Sequence, residues 1–365
     1  MNDEAKLPNT PDIGDYLKVF ACTAVMLQTI LGLALQTHPS LAVQAGIGIT
    51  YNLIKFTAPA FIVGILYTTI RVTGETNLTY HGYLGQMWHS LFVPTILWTA
   101  IYLLAMPWVQ QVSHYHTPVQ FAWQFVNGNA APHLWYNSMM LQFIILMPVF
   151  WGLAKWCGKR SKHGIVTLVA TVIIYFSWII FYDLQVFHGP HMRDWYLLDR
   201  LFISFLLYGV LGVLAWQYRD FTAHFLRKWW LTITLVAIAA FIWINVELFS
   251  FKFPVLLTNA PYYKPSMAIY DLAVIGLIST LAVTQIKRRL SITQTIHIMA
   301  NYAYPAFLSN VFWDQLLWMA FGRKLTITQP VAGIVMTYVG TWVLSFASAV
   351  IIHWVWTRTR KWSSK

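Results

Sequence analysis

The chain has 365 residues, of which 58% are hydrophobic and 10% are charged, and its formal net charge is +12. This composition excludes a soluble globular protein, because apolar stretches recur about ten times at the length that crosses a bilayer. A hydrocarbon core of about 30 Å needs roughly 20 apolar helical residues. The two cysteines, Cys22 and Cys157, lie in a predicted span and in a basic loop, so no disulfide framework is expected.

The apolar stretches predict an all-α, polytopic membrane protein that forms a single domain over residues 1–365. The N-terminal segment 1–15 is too short to fold alone and lacks the order of a signal peptide, so the first span is expected to stay as an anchor. Residues 357–365 form a basic tail. The ten predicted spans are 16–36, 47–70, 87–107, 134–154, 165–184, 199–217, 230–250, 267–286, 296–320 and 330–356.

The basic residues are distributed unevenly between the two sides of these spans. Of the 24 Lys and Arg residues, 15 lie in the tail or in connections that follow even-numbered spans, and five lie in the other connections. Because cytoplasmic loops carry the excess of Lys and Arg, this bias places both termini in the cytoplasm. The net charge therefore reports topology and attraction to the lipid bilayer. Nucleic acid is not expected as a partner.

Several ionisable residues fall near or within the outer ends of predicted spans. A charge in hydrocarbon costs at least about 2.5–3.5 kcal/mol, and several charges on one side are best relieved in a shared, water-accessible cavity. We therefore expect a polar cavity that opens outward, with Lys18 beneath it. Purely structural roles stay open, because Asp199 and Arg200 fit the headgroup level and Glu247 and Asp271 can reach the surface. The residues considered are Lys55, His133, Asp199, Arg200, Glu247, Asp271 and Asp314.

The sequence motifs of common soluble enzymes are absent. There is no Gly-rich phosphate loop after a strand, no HExxH and no nucleophile elbow. His188 and His191 have the spacing of metal ligands on a helix, but Gly189 and Pro190 between them break that geometry. No metal is expected.

Five segments together resemble the acyltransferase 3 family, integral membrane O-acyltransferases that modify sugars and cell-envelope polymers. The resemblance covers nearly the whole chain, and span order and loop lengths are most similar to the biofilm branch, poly-N-acetylglucosamine export or modification proteins. The segments begin at Asp15 with Lys18, at Lys55 with Pro59 and Phe61, at Pro94 with Trp98, at His133 with Trp135, and at Phe205 with Gly209 and Gly212.

The chain departs from the family pattern at both of its usual histidines. Thr29, with Gln28 beside it, stands where the family has a histidine in the first span, and Ser309 stands where the biofilm branch has one in the ninth. Lys18 and Lys55 stand at positions where the family has arginine. Lysine keeps the charge but loses the planar, bidentate recognition of phosphate.

The resemblance implies an O-acyltransferase that uses cytoplasmic acyl-CoA and no metal. An acetyl or succinyl group would pass to a hydroxyl of an extracytoplasmic sugar or cell-envelope polysaccharide. Acyl transfer needs a base near the hydroxyl and positive or hydrogen-bonding groups near the developing oxyanion. The resemblance suggests His133 and Asp314 for catalysis, Lys18 and Lys55 for binding the cofactor, and Trp98, Trp135, Arg200 and Glu247 for binding the substrate.

Two other functions stay open from the sequence. The first is a polysaccharide translocator or export partner that has kept the scaffold and lost the chemistry, which the absent histidines favour. The second is a proton-coupled transporter using Lys55, Glu247 and Asp314, which lacks the internal repeat of a transporter. In the enzyme and export readings we expect a multi-pass protein of the bacterial plasma membrane, with a polysaccharide synthase as a possible partner.

Overall fold

The computed structural model describes residues 10–76, 78–112, 114–192 and 194–363, with side chains as far as residue 355. Most of the predicted N-terminal segment 1–15, and the side chains of the basic tail 357–365, lie outside the described residues. The described part of the chain is helical and contains no strand. An apolar chain crossing a membrane satisfies its backbone N–H and C=O groups within helices, which accounts for this uniformity.

Fifteen α-helices follow one another along the described residues, with short 3₁₀ or π-helical turns between some of them. They are α1 (Ile13–Leu35), α2 (Leu41–Leu53), α3 (Thr57–Thr76), α4 (Tyr80–Met87), α5 (Val93–Ala105), α6 (Pro118–Asn127), α7 (Trp135–Ile145), α8 (Met147–Lys159), α9 (Ser161–Tyr182), α10 (Leu206–Gln217), α11 (Arg219–Ser250), α12 (Pro265–Lys287), α13 (Ile292–Leu317), α14 (Arg323–Thr328) and α15 (Pro330–Ser363).

Among the described residues, seven helical stretches are long and apolar enough to cross a membrane. An eighth results if α7 and α8, which meet at a bend of 56°, count as one span. The predicted class, an all-α polytopic membrane protein, is confirmed. Two of the ten predicted spans are not among these stretches. The span 199–217 corresponds to a shorter apolar helical stretch, Phe202–Gln217, and the span 296–320 corresponds to α13, which is not apolar enough. The polar side chains of α13, Asp314 among them, keep its hydropathy low.

Helix α1 lies at the centre of the bundle, where it packs against α3, α12, α13 and α15. It begins with a capping box, in which the Asp15 N–H donates to Asp12 Oδ1 at 2.9 Å and the Asp12 N–H donates to Asp15 Oδ2 at 3.1 Å. Its side chains Leu17, Ala21 and Cys22 are completely buried. The core of the protein is therefore built around α1.

The break between α2 and α3 is the feature of the fold that positions the cavity described below. Helix α2 ends at Leu53 and α3 begins at Thr57, so residues 54–56 leave the helical path within a stretch long enough to span a membrane. Pro59 is the third residue of α3, where its missing N–H lies among the donors that have no partner inside the helix. We call the end of the bundle at which α1 ends and α3 begins the outer end, following the predicted orientation.

Candidate functional site

A cavity of about 470 Å³ lies at the outer end of the bundle. Polar side chains and aromatic rings share its wall, and Lys55 is the only formally charged residue among the described residues that line it. The lining residues are Val25, Gln28, Thr29, Gly32, Leu33, Gln36, Tyr51, Lys55, Thr57, Ala58, Phe61, Trp108, Val109, Gln111, Pro132, His133, Trp135, Tyr136, Leu257, Tyr262, Phe307 and Gln315.

Lys55 lies in the break between α2 and α3 and is 7% exposed. Its Nζ donates to the Tyr51 hydroxyl at 2.8 Å and lies 4.6 Å and 4.2 Å from the ring centroids of Tyr51 and Tyr262. Aromatic faces carry negative potential, so both rings stabilise the ammonium. No carboxylate of the described residues lies within ion-pair distance of Lys55. Its charge is therefore buried without a direct ion pair, and the Asp271 carboxylate acts on it from a longer distance.

His133 lines the same cavity from the turn that precedes α7. Its Nε2 lies 3.3 Å from the Leu308 carbonyl oxygen of α13, and its ring contacts Tyr102 and Phe307 edge to face, with centroid distances of 5.4 and 5.0 Å. Because a carbonyl oxygen can only accept, this bond assigns the hydrogen to Nε2. The other nitrogen, Nδ1, keeps its lone pair and has no hydrogen-bond partner among the described residues.

Thr29, at the position where the family has a histidine, and Gln28 beside it both line the cavity. Gln28 Nε2 donates to the Ile54 carbonyl at 2.9 Å and to Thr57 Oγ1 at 3.2 Å. The Thr57 and Tyr262 hydroxyls are 2.8 Å apart. Gln28 thus ties α1 to both sides of the break in which Lys55 lies.

Aromatic rings form much of the remaining wall. Trp135 lies 5.7 Å from the Tyr262 ring, and Trp108 joins it in the cavity lining. Trp98 does not line the cavity and packs instead against Tyr102 and Phe312, at ring distances of 5.9 and 6.0 Å. Of the two predicted substrate-binding tryptophans, the structure therefore places Trp135 at the cavity and Trp98 behind it.

An imidazole, a buried lysine ammonium and several aromatic rings therefore surround one cavity of this multi-pass membrane protein. In a comparison with protein families, the acyltransferase 3 family, described as "Acyltransferase domain", matches residues 14–346. The chain belongs to the acyltransferase 3 family. No curated protein and no solved structure gives a significant match. The family match supports a membrane acyltransferase in general.

Within this acyltransferase 3 chain, Lys18 lies far from Lys55, at the opposite end of the bundle. Lys18 precedes Thr29 by eleven positions on α1, which is about 16 Å at 1.5 Å per residue. Its Nζ is 3.0 Å from Asp15 Oδ1, and His297 Nδ1 is 2.7 Å from Asp15 Oδ2. The structure thus places the two predicted cofactor-binding lysines in separate environments.

The remaining predicted site residues do not line the cavity. Arg200 is buried, with its guanidinium bonded to the Asn127 carbonyl and to Asp199 Oδ1. In this connection before α10, burial raises the pKa of the Asp199 carboxyl to about 6, and the Arg200 charge opposes that rise. Glu247 accepts from Ser266 at 2.7 Å and lies 3.7 Å from the Lys264 ammonium.

Asp314 lies in α13, 1% exposed, and is not among the lining residues. It makes no hydrogen bond to His133 in the described part of the structure, and the Leu308 carbonyl occupies the position of His133's orienting partner. In this acyltransferase 3 chain, the predicted pair of His133 and Asp314 is therefore not brought together. Among the described residues, no three His, Cys, Asp or Glu side chains form a group that could hold a metal ion.

Sequence reasoning missed three side chains that shape the site: Tyr51, Thr57 and Tyr262. The contact of Tyr51 with Lys55 could have been predicted, because Tyr51 precedes Lys55 by four positions and residues four apart are neighbours on a helix. Thr57 lies two positions after Lys55, which the sequence did predict. Tyr262 comes from the distant connection between α11 and α12, and no local pattern indicates its contact with Lys55.

Proposed function

We propose that this protein is a membrane O-acyltransferase that transfers an acyl group, acetyl or succinyl, from cytoplasmic acyl-CoA to a hydroxyl of an extracytoplasmic sugar or cell-envelope polysaccharide. The proposal places it in the bacterial plasma membrane, within the biofilm branch of the family and beside a polysaccharide synthase. One observation carries it: Lys55 and His133, from segments far apart in sequence, line the same outer cavity.

In this proposal His133 is the general base. Its Nε2–H is held by the Leu308 carbonyl, so Nδ1, which is buried and has no partner among the described residues, is the atom that would take the proton from the acceptor hydroxyl. Neutral imidazole suits this role at neutral pH. The proton lost by the hydroxyl would leave with the CoA thiol, so that the thioester bond breaks as the ester bond forms.

Lys55 would stabilise the oxyanion that develops on the thioester carbonyl. Its ammonium has no carboxylate neighbour within ion-pair distance among the described residues, so its field is available to a developing negative charge. The first residues of α3, Thr57 and Ala58, also line the cavity. The positive end of the helix dipole therefore adds to the field of Lys55.

The cavity wall supports a carbohydrate acceptor. Trp135 and Trp108 offer apolar faces on which a sugar ring can stack, and Gln36, Gln111 and Gln315 offer amide groups for its hydroxyls. Lys18, at the opposite end and 19% exposed at its side chain, would bind a phosphate of acyl-CoA. The donor and acceptor would then approach from opposite ends of α1.

Linkage analysis of the surface polymer from a deletion strain tests the function. A transferase predicts a polymer that is still exported but has lost its ester-linked acyl groups. A polymer that keeps its acyl groups but stays inside the cell would refute transfer and favour the translocator.

Complementation of that strain with His133→Ala tests the base. We expect acyl esters to stay absent while the variant protein reaches the wild-type amount in membranes. His224→Ala, at an exposed histidine of α11, serves as the matched control and should restore the esters fully. Normal acylation by His133→Ala would remove His133 from the mechanism.

A further inference from the structure

Three buried hydroxyl groups on α15 make no hydrogen bond to their own helix. Thr337, Thr341 and Ser345 are completely buried and recur every fourth residue, so they share one face. Elsewhere in this protein helical threonines donate to the carbonyl one turn earlier, as Thr280 does to Gly276 at 2.8 Å. The three α15 hydroxyls have no hydrogen-bond partner among the described residues. They share their face of α15 with Ser348, whose hydroxyl contacts a neighbouring helix.

That neighbour is α13, which runs antiparallel to α15. Ser309 and Ser348 place their hydroxyl oxygens 3.3 Å apart, and a Cβ added to Gly340 would lie 2.8 Å from Leu317 Cδ1. Residue numbers therefore rise along α13 in the direction in which they fall along α15. Asp314 is therefore level with the α15 turn that carries two of the three hydroxyls, those of Thr341 and Ser345.

Asp314 is itself unsatisfied. It is 1% exposed, and neither carboxylate oxygen has a hydrogen-bond partner in the part of the chain that the structure describes. None of the ion pairs among the described residues includes it. One turn earlier, Asn310 Nδ2 is also without a partner. A buried carboxylate without a hydrogen-bond or ion-pair partner requires a compensating positive charge or neutralisation.

We propose that Asp314, Thr341 and Ser345 bind a sodium ion between α13 and α15, with Thr337 at the edge of the site. These side chains supply hard oxygen ligands with a single negative charge, which matches a small monovalent cation and leaves a divalent ion under-neutralised. The site is distinct from the outer cavity, whose lining does not include Asp314. Its occupancy can therefore be measured without any acyl transfer.

The backbone next to Asp314 supports an ion site. The α-helix ends at Leu317, and residues Trp318–Gly322 form a π-helical turn, a local widening that is frequent at functional sites. A Cβ added to Gly322 would lie 2.6 Å from Thr337 Oγ1, so the hydroxyl approaches the backbone of that turn closely.

Thermal unfolding of the full-length protein in detergent tests the proposal, with NaCl exchanged for choline chloride at constant ionic strength. Wild type should gain about 2–4 °C in Tm for each tenfold rise in Na⁺ above its dissociation constant. Asp314→Asn should abolish the gain, and Thr341→Val should shift it to at least tenfold higher Na⁺. Thr280→Val makes the same substitution at a threonine bonded to its own helix and should leave the gain unchanged.

Equal melting temperatures of wild type in NaCl and choline chloride would overturn the sodium site. So would a Na⁺ response that is identical in Thr341→Val and wild type. If Asp314→Asn does not fold, the wild-type comparison and Thr341→Val still decide the question. Because no acyl donor or acceptor is present, this result is independent of the proposed transferase function.

Discussion

Replacing Lys55 by methionine removes the buried positive charge while keeping a long, flexible side chain in the break between α2 and α3. The substitution removes the hydrogen bond from Lys55 Nζ to the Tyr51 hydroxyl. It also removes the contacts of the ammonium with the Tyr51 and Tyr262 rings. Removing one group that stabilises an oxyanion typically lowers kcat by about 10²–10³, or about 2.7–4 kcal/mol of transition-state stabilisation. We expect Lys55→Met to lose acyl transfer by this factor, and Lys55→Arg, which keeps the charge, to lose less.

The assay is the initial rate of transfer from labelled acetyl-CoA or succinyl-CoA in membrane vesicles that contain the native acceptor, normalised to the amount of protein. Lys264→Met is the matched control. Lys264 is also buried, at 8% exposure, but it donates to the Asn259 carbonyl at 2.8 Å, lies beside Glu247 and does not line the cavity. A Lys55→Met rate within about threefold of wild type, or an equal loss in Lys264→Met, would refute the role of Lys55 as the oxyanion group.

Two further changes test the architecture around this site. Gly212→Ala should destabilise the protein by about 1–3 kcal/mol, because a Cβ there would lie 2.7 Å from the Val63 carbonyl oxygen. Thermal unfolding in detergent measures this loss. The control is Gly46→Ala, where an added Cβ meets nothing within 4 Å and should not lower the melting temperature. Gln28→Leu leaves the Ile54 carbonyl without its 2.9 Å donor and should lower acyl transfer with little loss of membrane protein; an unchanged rate would show that Gln28 does not position the break.

The sequence predicted the helical class and the existence of a shared cavity, because both follow from hydropathy and from the cost of burying charge. It predicted Lys55 and His133 at that cavity, and Trp135 with them. These features depend on composition and local pattern, which one sequence contains in full.

Predictions that required a register between distant helices could not be made from the sequence. The distance of Lys18 from Lys55 depends on where the α2–α3 break falls relative to α1. The separation of Asp314 from His133 depends on how α13 is rotated, since the Leu308 carbonyl meets the imidazole and the carboxylate does not line the cavity. Rotation about a helix axis is set by packing with several neighbours at once.

Local charge pairing separates the structural ions from the functional candidates in this membrane protein. Burying an ion is tolerated when a partner of opposite charge lies beside it, as Arg71 has in Asp12 and Lys264 has in Glu247. Such pairs complete their own electrostatics and leave little field for a ligand.

Among the described residues, Lys55, Asp271 and Asp314 are buried ionisable groups that lack a partner of opposite charge within ion-pair distance, and Asp271 accepts from the Tyr208 hydroxyl at 3.5 Å. Each charge is incompletely balanced by the protein, so each site gains most when a ligand of the opposite sign arrives. A developing oxyanion satisfies Lys55, and a cation satisfies Asp314. The sequence-based hypothesis of one shared cavity for all the charged residues is therefore replaced by two sites of opposite sign, at the outer end and between α13 and α15.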